Sequence, residues 1–413
     1  MLFRSICHPT IVPWIIVASV TITTAPTYRR KFRIRKTAYG LSVVTRECYP
    51  DVMAPCHCGA RTASSPRHMP TTRRAPRPWT RWSTQRLLQL RLRDLDLRIE
   101  GTWLERCLRQ LHDELDARKL VIRPHAWLSD EWFSPGGVPG IAIPFYLAHP
   151  RLMRLERAQL LEVEGGTQAE CMQILRHECG HAMQHAYVLN RRREWQRLFG
   201  RSSTPYPESY RPNPGSKRYV QHLRRWYAQS HPDEDFAETF AVWLHPGSDW
   251  RRRYAGWPAL RKLQYVDRLM RELAGVPPLV RTRRRVDPLR TISRTLFEHY
   301  TYRRALYSVE FPSTWDDDLR RLFSDDRRLS GRESAAAFLR RHRSAIRRVV
   351  SKWTGEYQFT LDTVLGDMIG RCRELRLRVL GNDRQVLTDF MVLLTARTME
   401  MLSRQGRRDW IVV

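Results

Sequence analysis

Lysine is almost missing from this sequence: 6 lysines stand against 66 arginines. Phosphate binding alone would not avoid lysine, which is also a good phosphate ligand. The net charge of +30 therefore does not mark a dedicated nucleic-acid surface. The ratio reads as the codon usage of a G+C-rich genome, and the surface as diffusely basic, open to acidic partners. Long apolar runs are also missing. None reaches the roughly 18 residues that cross a bilayer, and the longest, residues 11–25, is interrupted by Pro13 and several threonines. A polytopic membrane protein is excluded. A disulfide framework is absent as well. Only Cys107, Cys171, Cys179 and Cys372 follow residue 80, widely spaced and without C-x-x-C. That usage reads as a reducing compartment and a cytoplasmic location. No internal repeat, heptad run, reader helix, RNA-binding sheet motif or zinc finger occurs.

At roughly 100–200 residues per domain, 413 residues allow two or three domains. Residues 1–80 carry 13 basic and 2 acidic side chains and are rich in Thr, Pro and Ser. They read as a disordered basic leader or an upstream extension foreign to the native protein, with Met69 as an alternative start. The alternative is a secreted protein, with residues 11–25 as a signal h-region. Cys48, Cys56, Cys58 and His68 have no ribbon or finger spacing. Residues 81–285 read as a catalytic domain, and 286–413 as a helical C-terminal domain.

The fold class expected is α+β. Helical spacing covers 83–99 and 102–118, the latter with Leu104, Leu108, Leu111 and Leu115 in one stripe. Strands are expected at 120–122 and 141–147. Pro144 cannot donate to a ladder, so the second should be an edge strand. Thr167 and Glu170 form a capping box that opens a helix reaching about residue 190. Further helices are expected at 217–228, from Pro232 to about 245, and at 258–274. Amphipathic stripes follow near 289–304, 332–351, 359–377 and 385–404.

Within the capped helix stands His177-Glu178-Cys179-Gly180-His181. Residues four apart share a helical face, so both imidazoles can reach one tetrahedral metal. Glu178 is placed to reach a zinc-bound water as general base. The later helix carries Glu234 and Glu238, again four apart. One can bind the metal while the other holds a ligating ring by its distal N–H. Asp233 and Asp235 read as a solvated acidic helix start. His185 would lie roughly 12 Å from His177 on a straight helix, too far to share a zinc. It reads as a packing residue.

The pentad together with Glu234-Asp235-Phe236-Ala237-Glu238-Thr239-Phe240 resembles the gluzincin metallopeptidases of the lethal-factor type. With the runs at 143–150 and 227–238 added, the chain resembles still more closely the bacterial zinc-binding metallopeptidases, over about residues 85–400. The resemblance implies a zincin-like domain, a small sheet with an edge strand beside two ligand helices. It implies Zn2+ held by His177, His181 and Glu234, with Glu238 supporting a histidine ring. It also implies a catalytic Tyr227 that steadies the tetrahedral intermediate, with His222 and His231 as competitors. His231 can instead cap the helix that Ser230 opens.

The leading functional expectation is zinc-dependent peptide hydrolysis. An extended peptide or protein substrate would add to the 141–147 edge at Ile143 and Phe145. Two alternatives stand beside it: a zinc-binding protein without turnover, and a nucleic-acid-associated factor using the basic surface, whose binding would fall steeply with salt.

Overall fold

The computed structural model describes residues 33–36, 42–45, 77–207, 210, 212–307 and 315–404. The apolar run at 11–25, the Cys48, Cys56, Cys58 and His68 group, and Met69 lie outside them. Strands β1 (Arg33–Lys36) and β2 (Ser42–Thr45) pair antiparallel. From residue 77 onward the described chain belongs to a separate unit.

That unit starts with α1 (Thr84–Leu88) and α2 (Trp103–Ala117). The helix expected over 83–99 shrinks to α1 and a 3-10 turn at Leu92–Leu95. Tertiary pairing overrides its periodicity, since the amides of Leu92 and Arg93 bond to the carbonyls of Arg294 and Ile292, each at 3.0 Å. In α2, Leu104, Leu111 and Leu115 are fully buried, and Leu108 packs at the margin. The strand expected at 120–122 is an irregular link, because the Arg123 guanidinium donates to the carbonyls of Leu120 and Ile122.

Strand β3 (His125–Ser129) instead pairs parallel with β4 (Gly140–Pro144). On its other side β4 meets Phe133: the Ala142 amide donates to the Phe133 carbonyl at 2.9 Å, and the reverse bond is 3.5 Å. This corrects the expected edge strand. Strand β4 is flanked on both sides, and Ile143 and Phe145, expected at a substrate edge, are core residues with 0% exposure. Pro144 is tolerated because it ends the strand, and Phe145–Ala148 turns into a 3-10 helix.

Helices α3 (Pro150–Leu160), α4 (Gln168–Tyr187), α5 (Arg193–Phe199), α6 (Pro232–Leu244), α7 (Trp250–Arg253), α8 (Ala259–Glu272) and α9 (Leu296–Tyr307) complete the first core. Trp195, Phe199, Phe236 and Phe240 pack against one another in tilted and edge-on contacts along α6. Truncating such a buried ring to Ala costs about 3–5 kcal/mol. The helix expected at 217–228 is absent. In its place is a 3-10 stretch at Arg224–Gln229, broken by left-handed Arg225 and Trp226. The Leu223 amide goes to the Glu238 carboxylate rather than to a helix carbonyl. Leu289, Leu296 and Tyr300 belong to this core, beyond the boundary expected at 286.

A second core spans Trp315 to Leu394. It is built from α10 (Asp316–Leu322), α11 (Ala335–Thr354), α12 (Gln358–Glu374) and α13 (Asp383–Arg404). Two-residue strands β5 (Phe323–Ser324) and β6 (Arg378–Val379) pair within it. Among the described residues, no helix is long and apolar enough to cross a membrane.

Candidate metal centre

The site is made where α4 crosses α6. Thr167 opens α4 by accepting from the Glu170 amide at 3.2 Å. Buried Arg176 is held by both oxygens of Glu114 on α2, at 2.7 Å each, which fixes the helix one residue before His177. The approach of the two helices depends on Gly180, since a Cβ there would stand 2.7 Å from the Ala237 Cα. No side chain larger than hydrogen fits that crossing.

Helix α6 is capped by His231, not by Ser230. Its Nδ1 accepts from the Asp233 amide at 3.1 Å, so Nε2 carries the proton it donates to the Thr204 carbonyl at 2.7 Å. Asp233 and Asp235 are not a solvated face, as expected, but buried. Asp233 accepts from Gln184 and Ser202, and Asp235 pairs with Lys262 at 2.5 Å.

The crossing brings together His177, His181 and Glu234, a group among the described residues whose donor atoms lie close enough to hold one metal ion. The two Nε2 atoms are 3.1 Å apart, and Glu234 Oε2 lies 3.1 Å from His177 Nε2 and 3.2 Å from His181 Nε2. Three donors on a tetrahedral zinc with bonds near 2.0–2.1 Å would be about 3.3–3.4 Å apart. The triangle therefore fits zinc within a few tenths of an ångström. Its two imidazoles and one carboxylate oxygen also suit that metal.

Glu238 takes a different place. Its Oε1 is 2.8 Å from His177 Nδ1, and its Oε2 accepts from the Leu223 amide at 2.8 Å. With Nδ1 donating to Glu238, the Nε2 lone pair of His177 would face the triangle when a metal displaces the Nε2 proton. Burial alone would lower the His177 imidazole, but its bonds to Glu234 and Glu238 outweigh that and hold it well above its usual value. Burial works to raise Glu234, yet His181 and His177 hold its carboxyl well below the carboxylate range. The pair of shifts describes a buried anion whose counter-charge is supplied by the rings it faces.

Glu178 is buried beside the triangle, and its Oε2 has no hydrogen-bond partner. Burial raises its carboxyl, with His177 and His181 pulling it back. Ser134 ties the Glu178 carbonyl at 3.0 Å to the segment that flanks β4. Tyr227 stands with its ring centroid 5.6 Å from that of His177. Burial, then the charge on Glu234, keeps its phenol protonated far above neutrality.

His222 and His185 stand outside the triangle. His222 bonds to the Gln173 carbonyl, and His185 is pushed down to about 4 by burial. Tyr206 was not foreseen. Its hydroxyl donates to Glu234 Oε1 at 2.9 Å, and its ring stacks on His231 at 3.7 Å. It fixes one carboxylate oxygen so that the other faces the histidines. An aromatic in a Pro-rich loop 28 residues before its partner leaves no sequence signal.

Residues 169–250 match the profile of the family described as "Putative zinc-binding metallo-peptidase", the family that the sequence resembles. Comparison with curated proteins and with solved structures gave no match. The matched stretch contains all three triangle residues together with Glu178, Tyr227 and Glu238. Zinc is the metal that the family description and the donor set both indicate.

Proposed function

We propose that this chain hydrolyses peptide bonds as a gluzincin-type zinc peptidase on a zincin-like scaffold. The observation that carries the reading is the N, N, O triangle at 3.1–3.2 Å with a buried, unpartnered glutamate oxygen beside it. His177, His181 and Glu234 would hold the metal, and Glu238 would keep the His177 ring in its ligating tautomer. Zinc bound there supplies a Lewis acid and lowers the pKa of water to roughly 7.

Glu178 takes a proton from the attacking water through its free Oε2 and returns it to the leaving amine. Its carboxyl, raised by burial, is suited to both steps. Tyr227 donates its phenolic hydrogen to the oxyanion. Removing one such donor costs about 2.7–4 kcal/mol in a well-characterised oxyanion site. Substrate cannot add to strand β4, which is flanked by β3 on one side and Phe133 on the other.

The test is metal content and peptide-library turnover of the wild type and of Glu178→Gln. Gln is nearly isosteric but cannot take the proton. One zinc per chain in both, with hydrolysis lost only in the variant, is expected. Equal hydrolysis by Glu178→Gln would overturn the mechanism.

A further inference from the structure

Arg225 and Trp226, consecutive and neither of them glycine, adopt left-handed backbone, with φ of 62° and 54°. Tyr227 follows at once. Such residues persist only when their surroundings over-determine them, and two in a row just before a residue facing the metal triangle need an identified support.

The support comes from the second core. Arg225 Nε donates to the Gly355 carbonyl at 3.0 Å, and its Nη2 to Glu356 Oε1 at 3.0 Å. The guanidinium also lies 4.7 Å from the Tyr357 ring centroid. On the other side, the Tyr210 hydroxyl donates to the Arg225 carbonyl at 3.0 Å. The receiving turn between α11 and α12 is itself fixed. Gly355 has the positive φ of 74° that ends α11, Ser351 donates to the Glu356 carbonyl at 2.7 Å, and Glu356 Oε1 also accepts from the Tyr357 amide at 2.9 Å. A planar fork with several donors meets a carbonyl and a carboxylate together, which a lysine cannot do. Glu356 is itself buried, so this is an enclosed pair and not a surface ion pair.

We propose that Arg225 is a positioning residue: locked onto the α11–α12 turn, it holds the left-handed turn that presents Tyr227 to the metal centre. Through that anchor the helical region 315–404 sets the geometry of hydrolysis. This rests on the peptidase reading of the site above.

The experiment uses the full chain carrying Arg225→Ala, Arg225→Lys or Glu356→Gln, each alone and combined with Tyr227→Phe. Turnover of a peptide substrate, zinc content and hydrogen exchange of residues 223–230 are measured. Arg225→Ala should lower kcat about 10–100-fold with KM and zinc content nearly unchanged. It should cost nothing more in the Tyr227→Phe background, because groups acting as a unit are non-additive. Glu356→Gln, the milder change, should lose part of kcat, and Arg225→Lys should recover part of it. Arg225→Ala and Glu356→Gln should speed exchange at 223–230 about tenfold while α4 amides stay protected.

Additive losses with Tyr227→Phe, or kcat loss matched by zinc loss, would overturn the inference by showing only general support of the fold. Should the wild type hydrolyse no peptide, the peptidase reading fails, and exchange alone decides the anchoring. Unchanged exchange in Glu356→Gln and Arg225→Ala would then refute it.

Discussion

Replacing Gly180 by Ala tests whether the helix crossing sets the metal site. The added Cβ would meet Ala237 at 2.7 Å from Cα, 3.0 Å from the carbonyl oxygen and 3.2 Å from Cβ. Ordinary carbon contacts are about 3.5–4.0 Å, so α4 and α6 must part by roughly 0.5–1 Å. Helix propensity pulls the other way, since Ala gains about 1 kcal/mol over Gly inside a helix. Overpacking costs about 1–3 kcal/mol. The net should be a loss of roughly 0–2 kcal/mol, visible as a small drop in Tm. The metal should feel it more. His177 and His181 ride on α4 and Glu234 on α6, and zinc sites tolerate only about 0.2 Å in their bonds. Zinc affinity, read by competition with a chelating dye, should fall about 10–100-fold, the range seen when ligand support is lost. Ala237→Gly should not rescue it, because the closest clash is with the Ala237 Cα. Wild-type zinc affinity in Gly180→Ala, with an equal or higher Tm, would refute the claim that this contact sets the ligand triangle.

Three further outcomes follow from the same geometry. Glu234→Ala removes one corner of the triangle and should abolish stable zinc retention, while Glu238→Gln should weaken it about 10–100-fold; the reverse order in metal analysis would exchange their roles. Tyr206→Phe keeps the stack on His231 but frees Glu234 Oε1, so zinc dissociation should quicken several-fold with little change in Tm; an unchanged rate would mean the phenol is idle. Glu162 lines a pocket with Glu156, Glu164, Arg303, Tyr307 and Tyr357, and burial pushes its carboxyl up to about 7. The folded state then binds a proton that the unfolded chain has released, so this group's stabilisation is complete below about 4.5 and is lost as pH rises through 7. Tm of the wild type relative to Glu162→Gln should decline across that window, and parallel curves would reject the shift.

The parts of the site visible in the sequence are those fixed by helical repeat. His177 with His181 and Glu234 with Glu238 are pairs four apart, and each pair shares a face whatever surrounds it. The extents of α2, α8 and α11 follow from apolar stripes for the same reason. Errors arose where distant chain segments claimed the backbone. Leu92 and Arg93 pair with residues near 293 instead of closing a helix. Leu223 gives its amide to Glu238, so the helix expected there does not form. Pro144 marks Ile143 and Phe145 as edge residues, but nothing local to that run announces that Phe133 covers it. The acids of α6 misled in a similar way. Asp233 and Asp235 have the position and composition of a solvated helix start, yet Gln184, Ser202 and Lys262 bring them inside.

The family resemblance needs little of the chain, and the site draws on much more. The matched stretch, 169–250, holds the donors and their immediate neighbours. The groups that immobilise those donors come in part from elsewhere: Glu114 on α2 grips Arg176, Ser134 grips the Glu178 carbonyl, and Glu356 grips Arg225. A zinc triangle alone needs only two helices at the right distance. The proposed roles of Glu178 and Tyr227 would need fixed backbones on further sides, because neither helix propensity nor metal binding favours those positions. Substitutions at Ser134 or Glu356 should therefore spare metal binding and reduce turnover, whereas those at the Gly180–Ala237 contact should affect both.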